Sequence, residues 1–297
     1  MHIYICGLEI VLDIYIYSMM KRALLIGIDY KSDTNAKLNG CVDDVINIRN
    51  MLIDAYNYDA GNITILRDDI DDPSKLPTNQ NIIQHLSSIV NESGNLSEIW
   101  IHYSGHGSQI NDFASLKHNG IDQVIVPVDY MYTGFIADAQ LLSIIREIKC
   151  HAMLVFDSCH SGTVCDLPWS FEYTSPTTYT RTMVDDVVIE NPNIHMFSGC
   201  KDNQTSADTY SPLLKEAVGA FTFTFIETLR RLHYAIDILL LYREVCIKLE
   251  KDGYSQRPIF SSSSIEPKYR LKRPSMLEVE YLLNLRAEME PFNLVGS

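Results

Sequence analysis

Apolar residues recur along this chain in two rhythms. From Lys21 onward, short unbroken apolar runs alternate with segments whose apolar residues return every three or four positions. The run Ala23–Ile28 reads as a buried strand, ending in Gly27-Ile28-Asp29. Asp43–Tyr56 sets Val45, Ile48, Met51, Leu52 and Ala55 at helical spacing. Asn62–Leu66 is β-branched and predicts the next strand. A helix begins at Thr78 and carries Ile82, Ile83, Leu86 and Ile89. Glu98–Tyr103 predicts a strand that runs into Ser104-Gly105-His106-Gly107. Val124–Val128 predicts a strand, Asp138–Ile148 a helix, and Ala152–Phe156 a strand running into Asp157-Ser158-Cys159. Ile194–Phe197 is a further strand, and Phe221–Leu232 and Ile236–Leu249 are helices. Strands alternating with helices predict an α/β protein, with a mostly parallel sheet covered on both faces.

The rhythm lapses twice. Residues 168–192 hold Pro168, Pro176 and many threonines, with no periodic apolar face, and are expected to form an irregular loop. That loop divides residues 20–167 from residues 193–297. At the start, the apolar run Ile3–Tyr17 is broken by Glu9 and Asp13. It lacks a basic start and a small-residue cleavage site, so it is a poor signal peptide. It is also too short and too charged for a membrane span. Residues 1–19 therefore read as an extension, and the folded domain as residues 20–297.

Composition narrows the function classes. With 46% hydrophobic and 21% charged residues in 297, the chain can bury a sizeable core and is not a disordered protein. Its 24 basic and 38 acidic residues give a net charge of −14, which argues against nucleic acid as a partner. Such a charge favours association with basic peptides without locating a site. The 7 cysteines are odd in number and show no paired CxxC spacing, against both a disulfide scaffold and a zinc site. A reducing, cytoplasmic setting fits this usage, with a monomer that needs no membrane.

Candidate chemistry sits where two strands end, the place where open α/β sheets build their sites. His106 follows one strand end and Cys159 another, each with glycine close behind, in HYSGHGSQ and DSCHSGT. A thiol needs a base or a positive neighbour to become a nucleophile, and histidine supplies both. Backbone N–H groups of Gly107 and Cys159 are the natural donors to the oxyanion formed on attack. Blander readings stand beside this one. A lone cysteine or histidine is more often a core residue than a catalytic one. His102 and His160 are rival bases, although His102 lies inside a strand and His160 is next to the thiol in sequence. His102 and His106 together suggest a metal pair, but no HExxH-type helix accompanies them.

The chain resembles a metacaspase of the compact, single-chain kind. The likeness runs from about Arg22 to Ser264. It rests on ALLIGIDY (23–30), LNGCVDDV (38–45), HYSGHGSQ (102–109), VPVDY (126–130), DSCHSGT (157–163), DLP (166–168) and SGCKDNQTSAD (198–208). His106 and Cys159 stand 53 positions apart, in keeping with the spacing of roughly 50 in the wider caspase group. The likeness is to the type expected to lack a Pro/Gln-rich leader before the domain. The stretch Lys268–Arg286 departs from the family pattern and reads as an insertion.

The resemblance implies a caspase-like three-layer α/β/α sandwich and a cysteine endopeptidase that cuts after Arg or Lys. It places Asp157 as the acidic base of the substrate pocket, Asp44 and Cys41 as a second wall, and Ser104 as a third. The alternative for Asp44 is a carboxylate placed at a helix N-terminus, and for Asp157 a loop cap. The resemblance also implies calcium, held by Asp122, Asp138 and Asp166, with Ala139 where another acidic residue is usual and Gln123 replacing an acidic neighbour. The alternative is three unrelated surface aspartates. Arg181, the one basic residue of the 168–192 segment, is a candidate for self-processing. A catalytically inert, peptide-binding relative is the other function class.

Overall fold

The computed structural model describes residues 20–111, 121–158, 165, 167–199, 208–211 and 216–273. Its centre is an eight-stranded sheet. The first five strands in spatial order are β2 (Ile63–Arg67), β1 (Lys21–Gly27), β3 (Glu98–Ser104), β7 (His151–Asp157) and β10 (Ile194–Ser198), all parallel. Three strands follow, each antiparallel to its neighbour: β14 (Ile259–Ser262), β8 (Trp169–Ser175) and β9 (Thr178–Met183).

Alternation along β1 shows how the sheet is covered. Ala23 and Leu25 face one side, where they join Val45, Ile48 and Leu52 of helix α1 (Cys41–Tyr56). Helices α5 (Ala220–Arg231) and α6 (Ile238–Lys251) pack on that same side through Phe221, Phe225, Leu241 and Val245. Leu24 and Ile26 face the other side, against Ile82, Leu86 and Ile89 of α2 (Asn79–Glu92) and Leu141 and Ile145 of α4 (Asp138–Ile145). The result is the three-layer sandwich that the apolar runs predict. Strands buried on both faces read as continuous apolar sequence, and each fully buried Leu or Ile contributes about 1.5–3 kcal/mol.

Smaller pieces frame the site end of the sheet. Strands β4 (Gly107–Asn111), β5 (Ile121–Ile125) and β6 (Ile136–Ala137) form a three-stranded antiparallel ribbon that starts directly after His106. A short helix, α3 (Tyr130–Thr133), lies between β5 and β6. Strands β11 (Asp208–Ser211) and β12 (Glu216–Gly219) pair, and β12 leads without a break into α5. Strands β13 (Ile236–Asp237) and β15 (Arg270–Leu271) pair at the far side.

The structure corrects several sequence expectations. The segment expected to be an irregular loop holds the β8–β9 hairpin, which extends the main sheet through β14. Trp169, Phe171 and Tyr173 alternate along β8, and Phe171 packs its ring 5.4 Å from that of Phe260. Threonines and aromatics suit a pleated surface, and Pro176 is confined to the turn. The strand expected at Val124–Val128 ends at Ile125, and the helix expected from Ile236 begins only at Ile238, after β13. Residues 1–19, and residues 274–286 of the stretch read as an insertion, lie outside the described residues. No helix among the described residues is long and apolar enough to cross a membrane.

Candidate active site

Strands β3 and β7 run side by side with Ser104 opposite Asp157. One step on, the Gly105 N–H donates to the Asp157 carbonyl at 3.3 Å. The chain therefore leaves the sheet at two neighbouring points, into Gly105-His106 from one strand and into Ser158 from the other. Cys159, with its N–H, and the rival base His160 lie outside the described residues. So does Asp166.

His106 is held at its ring and at its backbone. Its Nε2 lies 2.7 Å from the Ala36 carbonyl oxygen. A carbonyl only accepts, so that nitrogen carries the hydrogen and Nδ1 is left with the basic lone pair. The loop that supplies Ala36 is itself tied down. The Ala36 N–H donates to the Asp33 carbonyl, and the Tyr130 hydroxyl donates to the Asp33 carboxylate at 2.9 Å. The Asn35 N–H, and after it the Tyr130 hydroxyl, hold the Asp33 carboxyl below its ordinary pKa. The Tyr30 ring leans against the imidazole with 4.7 Å between centroids. Gly107 begins β4 opposite Ile125, so the backbone after His106 turns away along the ribbon.

His102 is not a rival. It is fully buried in β3, neither ring nitrogen has a hydrogen-bond partner, and burial pushes its pKa down to about 3. Such an imidazole stays neutral and cannot take a proton near neutral pH.

The carboxylates expected to form a pocket converge. Asp44 and Asp157 are only 1% and 4% exposed. The Ser104 hydroxyl donates to Asp44 Oδ2 at 2.8 Å, and the Gly219 N–H donates to Asp44 Oδ1 at 3.1 Å. Thr222 donates its N–H and its hydroxyl to Asp157 Oδ2 at 3.0 and 2.8 Å. A Cβ on Gly219 would run into Asp157 Oδ2 and would also crowd Asp44 Oδ2. The two acids thus face each other across Gly219, at the N-terminus of α5, whose dipole and free N–H groups favour negative charge.

Cys41 opens α1 one turn before Asp44 and is buried. Its N–H and that of Val42 donate to Asp29 Oδ1 at 3.0 and 3.4 Å. Burial raises the Asp29 pKa against those bonds. Asp29 therefore ties the end of β1 to the start of α1 and fixes where Asp44 stands. Asp44, Ser104, Asp157 and Cys41 all occupy the carboxyl edge of the sheet that also carries His106.

A family model, metacaspase, peptidase C14 domain, matches residues 21–168. Metacaspase-1B of Aspergillus oryzae is 33% identical, over 82% of this chain and 68% of its own length. Metacaspase-1 of Meyerozyma guilliermondii is 31% identical, over 82% of this chain and 69% of its own length. The chain belongs to the metacaspase family. This metacaspase is accordingly a cysteine-type peptidase of the caspase-like group, acting on peptides or proteins. Among solved structures, a protein of Geobacter sulfurreducens aligns over 87% of this chain and 96% of its own, with a TM-score of 0.56 and 19% identity, a likeness of fold.

Of the three aspartates expected to hold calcium, two lie among the described residues. Asp122 lies in β5 and Asp138 opens α4, and both are buried. Asp138 Oδ2 accepts the Gln123 N–H at 3.0 Å and Oδ1 accepts the Ala139 N–H at 2.6 Å. Calcium takes six to eight oxygens. Among the described residues no three such side chains gather to hold a metal, so these carboxylates alone do not make a calcium shell.

Arg181 lies within β9 of the hairpin rather than in a loop. Its guanidinium sits 5.9 Å from the Trp169 ring centroid and donates to the Ile265 carbonyl at 3.2 Å. Sequence reasoning missed Tyr30, Ala36, Tyr103, Gly219 and Thr222. Tyr103 reads as one more residue of an apolar strand, and Tyr30 as part of the turn that follows another. Gly219 and Thr222 carried no signal, since nothing in the sequence ties the start of α5 to Asp157.

Proposed function

We propose that this metacaspase is an endopeptidase that cuts after Arg or Lys, with Cys159 as nucleophile and His106 as base. The observation that carries the specificity is the pair of buried carboxylates, Asp44 and Asp157, at the sheet edge beside His106. A cation entering a desolvated pocket needs carboxylates to offset the loss of water, and Arg can take a bidentate bond to one of them. An acidic side chain would meet like charge there.

In this reading His106 Nδ1 takes the proton of the Cys159 thiol as sulfur bonds to the scissile carbonyl carbon. The Nε2–H stays on the Ala36 carbonyl throughout, so the ring keeps its orientation while it gains charge. The N–H groups of Gly107 and Cys159 receive the developing oxyanion. The imidazolium then returns its proton to the leaving amine as the carbon–nitrogen bond breaks, and water releases the acyl group from sulfur.

Calcium stimulation is a separate proposal, resting on the donor chemistry of Asp122, Asp138 and Asp166. A bound ion would neutralise these carboxylates, and no step of hydrolysis runs through it.

The test is a panel of fluorogenic peptides ending in Arg, Lys, Asp or Asn, offered to the wild type, Cys159→Ala and His106→Ala. Arg and Lys peptides should be cut and both variants should be inactive. Undiminished cleavage by Cys159→Ala would overturn the assignment.

A further inference from the structure

We propose that Tyr30 and Tyr103 are positioning residues for His106, two phenols that together fix the backbone of the general base. The proposal rests on His106 acting as that base.

The two hydroxyls divide the polar groups of His106 between them. The His106 N–H donates to the Tyr30 hydroxyl at 3.0 Å, and the Tyr30 hydroxyl donates to the Val126 carbonyl at 2.6 Å. The Tyr103 hydroxyl donates to the His106 carbonyl at 2.6 Å and accepts the Val126 N–H at 3.2 Å. The hydroxyl oxygens lie 3.3 Å apart. Each phenol thus gives its one hydrogen and receives one, so both amide groups of His106 are pinned to the same residue across the ribbon. With Nε2 on Ala36, the imidazole is fixed at three points: N–H, C=O and ring.

Three further observations separate this arrangement from ordinary core packing. Tyr30 has φ +51°, a left-handed conformation that a bulky side chain adopts only where its surroundings enforce it. That turn sends the phenol back under His106 while the chain goes on to deliver Ala36. Gly105 has no side chain, and a Cβ there would lie 2.8 Å from the Tyr103 hydroxyl and 3.2 Å from that of Tyr30. Both tyrosines are buried to within 1% of full burial, where phenylalanine would fill the same space without a polar atom to satisfy. Burial also raises the Tyr30 pKa, keeping it a neutral phenol that can donate.

A misplacement of about 1 Å at a catalytic group costs on the order of 10²-fold in rate. Tyr30→Phe and Tyr103→Phe should therefore each lower kcat by about 10–100-fold, with KM nearly unchanged. The double variant should fall by less than the product, since both act on one residue. Alkylation of Cys159 by iodoacetamide at neutral pH should slow in parallel, because the thiolate depends on the same imidazole.

The experiment measures kcat, KM and labelling rate for both variants, for His106→Ala, and for Tyr58→Phe. The last removes a buried hydroxyl that bonds Glu98 at the opposite end of the sheet. The substrate is the peptide that the wild type cuts fastest, and thermal unfolding is followed alongside. Tyr103→Phe, on another strand, keeps the test open should Tyr30→Phe fail to fold. Reduced kcat and labelling in both clamp variants, with Tyr58→Phe keeping the wild-type kcat, supports the clamp. If His106→Ala is dead and the clamp variants turn over within twofold of wild type, the clamp is wrong and the base assignment stands. If Tyr58→Phe loses kcat equally, the tyrosines act only through stability and the proposal falls. Full activity in His106→Ala sinks the base and the clamp together.

Discussion

Two buried histidines show how one side chain couples this fold to pH. His102 and His195 have their pKa values pushed down to about 3 and about 4, in both cases chiefly by burial. The unfolded chain binds a proton at each near the ordinary value of about 6.5. Below that pH the unfolded state takes up protons that the native state refuses. Their contribution is thus fully present above pH ~6.5 and is lost as pH falls toward the folded values. For His102 the whole loss approaches ~5 kcal/mol at its acid end. Urea unfolding between pH 7 and 4 should show stability falling with pH, and His102→Leu should flatten that slope. An unchanged slope would mean that other groups set the acid limit. At this same scale, His106 and Asp157 stand out in the sequence as candidates because one follows an apolar strand and the other ends one, both beside small residues. The roles of Tyr30 and Tyr103 were not. A phenol in or just after an apolar run looks like any other core residue, and only tertiary structure says where its hydroxyl goes.

At the scale of elements, the parallel strands read plainly and the antiparallel ones did not. β1, β3 and β7 are buried on both faces, so their sequences are unbroken apolar runs. β14 is Ile-Phe-Ser-Ser and β9 is exposed along its whole length, so neither carries such a run. β8 and β9 read as a loop in the sequence because prolines and threonines mask the alternation of Trp169, Phe171 and Tyr173. This changes what self-processing after Arg181 requires. A bond in a paired strand must leave its partner before a protease can bind it, so cleavage there should be much slower than peptide turnover. Trp169→Ala removes the ring beneath the guanidinium and should speed cleavage by about tenfold for each 1.4 kcal/mol of hairpin stability lost. Intact mass spectrometry over time would follow it; if neither protein is ever cut after Arg181, the site is not one. The start of α4 makes a second case. Asp138 is buried and bonds two N–H groups, while Ala139 beside it is exposed. Weak calcium sites work at about 10⁻⁴–10⁻³ M. Calcium in that range should raise the wild-type unfolding temperature, and Ala139→Asp should shift the response to lower concentration. Flat curves for both proteins would end the calcium reading.

On the scale of the whole molecule, the parallel half of the sheet gathers the chemistry. β1 leads into Asp29 and Tyr30, β3 ends at Ser104 and leads into His106, and β7 ends at Asp157, all at one edge. α1 brings Asp44 to it, and β12 with α5 brings Gly219 and Thr222. Chain positions more than a hundred residues apart meet there, which is why local motifs single out His106 and Asp157 as candidates but give no sign of the donors that hold Asp44 and Asp157. A net charge of −14 adds a general attraction for basic substrates, which salt would screen. The central claim is that the converging carboxylates select a cation beside the nucleophile. Asp157→Asn tests it most directly, because asparagine can still accept from Thr222 through its carbonyl oxygen and keep the start of α5 in place. The measurement is kcat/KM on matched Arg and uncharged peptides, with iodoacetamide labelling of Cys159 as a control for the nucleophile. Losing the charge should remove roughly 2–5 kcal/mol of transition-state stabilisation, a fall of well over tenfold on Arg peptides alone, while labelling persists. Normal cleavage of Arg peptides by Asp157→Asn would contradict the account.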